Sequence, residues 1–259
     1  MIASADFAYV QARLQARHGE RTSEADWRAL DGARSLALYL EQARRTPLRR
    51  WSEHLGTAMS SHAIEAALRR EADRAVREVA GWMPQGWRAA VLWLAALPLL
   101  PVLDAVVDGD DPPGWASEEP LFAAMVGVDP AGRRAIAAQS FLAPLLAPRP
   151  EARGIADLWL DHWKTLWPGG ESAEPALAAF AAAVAGELAE PSPAGPGGSD
   201  EAMRRGTERI CVRFFRNRAG TPVAAFAHIA LVLIDLERLR GGVVRRALFA
   251  GAPGAEEAA

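Results

Sequence analysis

The stretch SHAIEAALRREADRAVREVAGW, Ser61 to Trp82, restricts the possible folds more than any other part of the chain. Ile64, Leu68, Val76, Val79 and the following Met83 recur at helical spacing, while Arg69, Arg70, Asp73, Arg74 and Arg77 fall on the opposite side. Pro84 then ends the pattern, because it has no backbone N–H to continue a helix. A helix of about six turns with one apolar stripe is unstable alone in water and needs other apolar faces to cover it. Helical periodicity dominates the remainder of the chain too, and no convincing strand-like alternation appears. The expected fold is all-α, a multi-helix bundle with no significant sheet.

A first helix is expected from about Ser4 to Arg17, with Phe7, Val10 and Leu14 on one face and Arg13 and Arg17 along its flank. A second begins near Thr22 or Ser23, where Asp26 makes a partial capping box, and carries Trp27, Leu30, Leu36 and Leu40 inward. Thr46-Pro47 marks a break. The run AAVLWLAALPLLPVLDAVV, Ala89 to Val107, approaches the roughly 20 residues that span a bilayer. Pro98, Pro101 and Asp104 interrupt it, so it reads as a buried helix broken near Pro98.

The turn residues of DGDDPPGW, Asp108 to Trp115, make a loop. Shorter helices follow at about 119–126, 130–146, 155–167 and 174–190. Pro191 to Asp200, rich in proline and glycine, is the linker expected before two final helices at about 201–217 and 222–248. Gly241-Gly242 is the place for a kink in the last of these. The chain thus divides into an N-terminal helical module (1–116), middle helices (117–190), the linker (191–200), a C-terminal helical pair packing back on the body (201–250) and a disordered tail (251–259). No short tandem repeat of the kind that marks a solenoid occurs.

Composition narrows the function. A formal net charge of −3 and a pI near 6.0 lack the basic excess of nucleic-acid binders. Cys211 is the single cysteine, so neither an intrachain disulfide nor a cysteine metal site can form, and a reducing cytoplasm is the expected setting. The first twenty residues lack the apolar core of a signal peptide. Lys164 is the sole lysine, and all other basic residues bar the histidines are arginine.

Catalytic motifs are scarce. No GxSxG, HExxH or P-loop pattern occurs, and GPGG at 195–198 belongs to the linker. Cys211, within ERICVRFF, reads as a buried helical residue. Of the scattered histidines, His162 reads as a helix-surface residue and His228 as a core or interface one. Asp104 and Asp108 stand four apart, the spacing of paired carboxylates that clamp magnesium on a diphosphate substrate, with Asp110 and Asp111 close by. A facing acidic pair would have to come from Asp157 and Asp161, among Trp159 and Trp163. The tryptophans 159, 163 and 167 form one heavy stripe, read as core with a partner groove as the other option.

The two ends of the chain carry a resemblance. DFAYVQARLQARHG, through Phe7, Tyr9, Val10, Ala12, Arg13 and Arg17 with Gly19 as the stop, resembles the opening helix of the C-type central-stalk subunit of bacterial and archaeal V/A-type rotary ATPases, whose eukaryotic vacuolar counterpart is the d-type one. The C-terminal stretch, with Pro222, Asp235, Arg238, Leu239, Arg240, Arg245 and Arg246, resembles the last helices of that family, and ERICVRFFRNR fits its penultimate one. That family is usually longer, by about one of its three pseudo-repeated helical modules.

The resemblance implies a multi-helix bundle of pseudo-repeated helical modules, serving as a non-catalytic, funnel-shaped socket at the cytoplasmic end of a membrane rotor ring. Its partners would be the central-shaft subunits and the ring proteolipid, in proton or sodium transport. It would bind no nucleotide, metal or other cofactor. It would lie peripherally on the cytoplasmic face of the inner membrane through its complex. Tyr9, Arg13, Arg17, Asp235, Arg238 and Arg240 are the candidate family-motif or partner-contact residues. Two other readings stand beside it: a helical adaptor outside a rotary motor, and a magnesium-dependent helical enzyme acting on a diphosphate through Asp104 and Asp108.

Overall fold

The structure, a computed structural model, describes residues 7–147, 153–171, 174–189 and 198–249. It is all-α, and no strand occurs among the described residues. Helix α1 spans Ala8–Gly19, running two residues past the expected end. The expected second helix is two, α2 (Glu24–Asp31) and α3 (Leu36–Ala43). Ser23 and Asp26 form a full capping box on α2, and the Ser35 hydroxyl accepts the Leu38 N–H to start α3. This second cap after Gly32 splits the segment, yet Trp27, Leu30, Leu36 and Leu40 all remain buried. A single turn, α4 (Arg49–Ser52), follows the break at Thr46-Pro47.

Helix α5 spans Ser61–Trp82, as its pattern predicts; the Ser60 hydroxyl caps it and Pro84 follows its end. Arg69, expected on the solvent side, is half-buried instead. Its guanidinium lies 3.7 Å over the Trp115 ring, donates to the Pro98 carbonyl and pairs with Glu65 at 3.0 Å. The apolar run folds as α6 (Arg88–Leu92), a 3₁₀ segment Trp93–Leu99 containing Pro98, and α7 (Leu100–Asp108). The segment Gln85–Asp108 is long and apolar enough to cross a membrane, but its residues contribute heavily to the interior.

Beyond the loop come α8 (Pro120–Ala123), α9 (Pro130–Ala138), a 3₁₀ turn Ala143–Leu146, and α10 (Ile155–Thr165). Next are α11 (Pro175–Ala189), α12 (Gly198–Asn217) and α13 (Pro222–Phe249). Residues 191–197 of the expected linker lie outside the described residues, and Gly198 to Asp200 belong to α12. The expected tail, 251–259, also lies outside the described residues.

Two apolar clusters meet along α5 and α13. The larger takes Val76 and Val79 of α5 and Val223 to Leu231 of α13, with α1, the 83–107 segment, α10, α11 and α12 around them. The smaller takes Ile64 to Ala72 of α5 and Val232 to Val243 of α13, covered by α2, α3 and α4. The end of α5 therefore lies by the start of α13 and its start by the end of α13, so the two helices are antiparallel. The tryptophan stripe is core: Trp159, Trp163 and Trp167 are buried, and Trp93 and Trp159 each donate an indole N–H to the other's carbonyl at 3.1 and 3.3 Å.

Helix α13 is continuous through Gly241-Gly242, and the two glycines differ in surroundings. A Cβ at Gly242 would stand 2.2 Å from the Tyr39 hydroxyl, whereas one at Gly241 meets nothing within 4 Å. Alanine gains roughly 0.5–1 kcal/mol over glycine inside a helix, and overpacking costs about 1–3 kcal/mol. Gly241→Ala is thus expected to raise the midpoint of urea unfolding and Gly242→Ala to lower it. Equal shifts for the two would show that α13 does not pack closely on Tyr39.

Candidate functional site: the junction of the chain ends

Two residues of the C-terminal resemblance, Asp235 and Arg238, lie where α1, α2, α12 and α13 meet. Asp235 is the acid in the otherwise apolar run IALVLIDL of α13, and it is 3% exposed. An ionised carboxylate buried this deeply needs a fixed partner. Arg21, just beyond α1, supplies it: Nε donates to Oδ2 at 2.9 Å and Nη2 to Oδ1 at 2.8 Å, a two-pronged pair. The same Nη2 reaches Glu208 of α12 at 3.0 Å, so one guanidinium joins α1, α12 and α13. Burial outweighs the pairing and holds the Asp235 carboxyl above the usual carboxylate range. Burial also works against the charge of Arg21, yet its two acids together hold that guanidinium above the usual arginine range.

Most other candidate residues also turn inward to neighbouring helices. Arg17 pairs with Glu78 of α5 at 2.7 Å and with Glu20 at 3.2 Å. Arg238 stacks 4.5 Å over the Trp27 ring and donates to Glu24 at 2.8 Å and Asp31 at 3.2 Å, tying α13 to both ends of α2. Arg240 grips both oxygens of Glu65 on α5, at 3.1 and 3.0 Å, and also pairs with Glu237. Arg13 is exposed, with its guanidinium 5.2 Å from the Trp82 ring and 5.8 Å from that of Tyr9. Tyr9 itself is 58% exposed.

Three participants carry no sequence signal of their own: Arg21, Glu208 and Glu65. Arg246, at the edge of the C-terminal motif, is a fourth whose role the sequence does not show. It is 8% exposed and donates to the carbonyls of Ala33 (2.7 Å), Asp31 (3.0 Å) and Leu30 (3.3 Å), satisfying the end of α2 from another helix. Beside this network a cavity of about 240 Å³ opens between α1, α4, α5 and α13. Arg17, Arg50, Glu71, Arg74, Glu78 and His228 supply its polar lining. His228 is 2% exposed, and its Nδ1 has no hydrogen-bond partner. Burial pushes the His228 imidazole down to about 3, helped by His18 and by the charges of Arg50, Arg21 and Arg17.

Several acidic and nucleophilic groups elsewhere in the chain are engaged structurally. Asp108 accepts from Arg134 at 2.9 Å and Asp111 from Arg133 at 2.8 Å, the two arginines also taking carbonyls at the end of α7. Asp157 caps the start of α10, accepting the Gly154 N–H at 2.9 Å, and Asp161 pairs with Arg153. Among the described residues no three His, Cys, Asp or Glu side chains are grouped to share a metal ion. His162, expected on the surface, is half-buried with its ring edge-on to Trp93 at 4.5 Å. Cys211 is fully buried, which pushes its thiol up to about 12 and removes the thiolate needed for reactivity. Comparison with known protein families, characterised proteins and solved structures finds no match to this chain.

Asp235→Asn is expected to cost about 3 kcal/mol, the lower end of the range for breaking a buried pair, because Glu208 still holds Arg21. The double variant Arg21→Met with Asp235→Leu should lose less than the two single losses summed, read by urea unfolding in a thermodynamic cycle. Additive losses would show that the two groups do not act together.

Acid should weaken the fold through His228. Unfolded, His228 titrates near its ordinary 6.5; folded, near 3. Between those values the unfolded chain binds the extra proton, so stability is complete above 6.5 and falls as pH drops through the window. His228→Gln should make that fall shallower by up to about 1.4 kcal/mol per pH unit. An unchanged slope in urea unfolding at stepped pH would place the histidine in contact with water.

Proposed function

We propose that the chain is a non-catalytic socket in a V/A-type rotary ATPase, similar to the C-type central-stalk subunit, that couples the central shaft to the membrane ring in proton or sodium transport. The observation that carries this reading is the meeting of the two resembling ends. Arg21 beside α1, Asp235 on α13 and Glu208 on α12 form one hydrogen-bonded network, with Asp235 buried and the other two half-buried, although they are far apart in sequence. The residues that match the family's terminal motifs serve this joint more than they serve the surface, Arg238 and Arg240 included.

A rigid joint suits a part that transmits torque. Its helices must turn together, and paired guanidiniums hold them in a fixed relation. The reading is also compatible with acidic groups that cap helices and pair with arginine rather than converge on a reacting centre. On this reading the segment Gln85–Asp108 is an interior element, and the chain reaches the membrane through the ring.

A tagged chain recovered from gently solubilised source membranes should bring down the nucleotide-binding head subunits, the shaft and the ring proteolipid, identified by mass spectrometry. Arg21→Met, which loosens the joint, should reduce that recovery more than Arg205→Met, an exposed arginine of α12. Recovery of none of these partners, with the protein monomeric in the soluble fraction, would sink the rotor assignment and favour an adaptor outside such a motor.

A further inference from the structure

Unpaired positive charge collects at one place on the surface. Of the arginines in and just after α12, Arg204 is held by Glu201 at 2.6 Å and Glu208 at 3.6 Å, and Arg205 by Glu201 at 2.7 Å. Arg209, Arg213, Arg216 and Arg218 follow, all exposed, and none has a carboxylate or carbonyl partner for its guanidinium among the described residues. Elsewhere exposed guanidiniums are mostly engaged, as Arg45 is by Glu41, Arg49 by Glu53 and Arg77 by Asp73. Arg209, Arg213 and Arg216 stand at i, i+4 and i+7, so they share one face of α12 and rise about 10 Å along it. The opposite face carries the buried Thr207, Cys211 and Phe215. Like charges at this spacing disfavour the helix. The negative end of the helix dipole offsets part of that for Arg216 in the last turn, but it does not extend to Arg209. The whole chain has a formal net charge of −3, so the stripe is a local feature.

The neighbouring helix narrows the kind of partner. α11 lies antiparallel to α12, with the Phe180 and Phe214 rings 5.3 Å apart near its start and Glu187 against Gly206 near its end. From Pro175 to Gly186 α11 carries no charge, and beyond Pro175 its exposed positions there are Ala179, Ala182, Ala185 and Gly186. Such positions lack the Trp, Phe or Leu side chains that an interfacial helix sinks into a bilayer. Small side chains instead let the backbone of another helix come close. A helix with carboxylates at the matching i, i+4 and i+7 spacing suits the row of guanidiniums beside them, since each can take a carboxylate through two parallel hydrogen bonds.

We propose that the outer face of α11 and α12 docks an acidic helix of a partner protein, with Arg209, Arg213 and Arg216 pairing with its carboxylates. Such a surface is independent of the rotor assignment.

The probe is a capped, dye-labelled alanine peptide of about 18 residues, long enough to form a helix, with glutamates at i, i+4, i+7 and i+11. The full chain is titrated into it at low salt, about 20 mM sodium chloride, and binding is read by fluorescence anisotropy. One saturable site is expected. Affinity should be on the order of tenfold weaker when Arg209→Gln, Arg213→Gln and Arg216→Gln are combined, and weaker to a similar degree for the peptide carrying Gln in place of Glu. Arg45→Gln, Arg49→Gln and Arg77→Gln together remove the same charge from exposed, paired sites and should leave the affinity unchanged. Amide hydrogen exchange should slow chiefly in α11 and α12 on saturation, and the midpoint of urea unfolding should be the same in the stripe variant as in the parent protein. No saturation by the peptide, an equal loss in the charge-matched control, or a lower urea midpoint in the stripe variant would overturn the proposal, the last by making these arginines structural. Tighter binding to vesicles containing phosphatidylserine than to the peptide, lost in the same variant, would overturn it in favour of a lipid surface.

Discussion

The antiparallel packing of α5 on α13 is the contact on which the remainder of the molecule depends. At about 1.5 Å per residue, α13 extends through both apolar clusters, and α5 runs beside it in the reverse direction. Neither cluster closes without these two helices, because α2, α3 and α4 cover only one end and the 83–107 segment with α10 only the other. Small residues are frequent among the buried positions of both helices. Ala66, Ala67 and Ala72 on α5 and Ala224, Ala225 and Ala227 on α13 are all buried, and Gly242 leaves room for Tyr39. Small side chains gain less from burial than leucine or phenylalanine, at roughly 25 cal/mol per Å² of apolar surface. The spine thus supplies geometry, and the large side chains packed around it supply most of the apolar burial.

Arginine solves a problem that this architecture creates repeatedly. Many short helices mean many helix ends, each with carbonyls that lack an intrahelical partner. Several ends are satisfied by a guanidinium from elsewhere: Arg246 serves the end of α2, while Arg133 and Arg134 serve the end of α7. Arg69 does the same for the Pro98 carbonyl in the 3₁₀ segment, where the helical ladder is broken. A guanidinium has five N–H donors in a plane and can take two or three carbonyls while stacking on a ring, as Arg246 does on Tyr39 at 4.2 Å. An ammonium group offers no comparable fork. The near-absence of lysine, which composition alone leaves without a structural meaning, therefore fits the way the helix ends are closed.

The fold is largely legible where local and long-range signals coincide. For Ser61–Trp82 the apolar period, the serine cap and the proline stop all agree, and the element follows. The segment after Ser23 keeps its inward residues but conceals a second start, since Ser35 capping a new helix looks much like a serine on the surface of a continuous one. Periodicity misplaces Arg69 because it assigns a face without showing what lies against it; Trp115 and Pro98 come from distant segments. The candidate site is legible at one residue. An acid in an apolar run, Asp235, demands a cation, but nothing in the sequence tells which of many arginines provides it. Arg50 and His228 are ordinary residues in sequence, and only the folded chain places both on one cavity.

The polar pairs of the spine have a role that their contribution to stability does not measure. A buried ion pair gives little net free energy, because desolvation offsets most of the attraction. Its effect on alternatives is larger. The nearest alternative register of two long packed helices is a slide by one turn, about 5.4 Å. Such a slip would part Arg240 from Glu65, Arg238 from Asp31 and Asp235 from Arg21 together, leaving Asp235 buried without its cation. These three contacts lie along a single stretch of α13 and reach α5, α2 and the end of α1. They accordingly select one register of the spine over its neighbours and tie the chain's two ends to it. Under the proposed function, a part that turns as one piece would draw on that selection more than on added stability, with Asp235, Arg238 and Arg240 of the C-terminal motif supplying it.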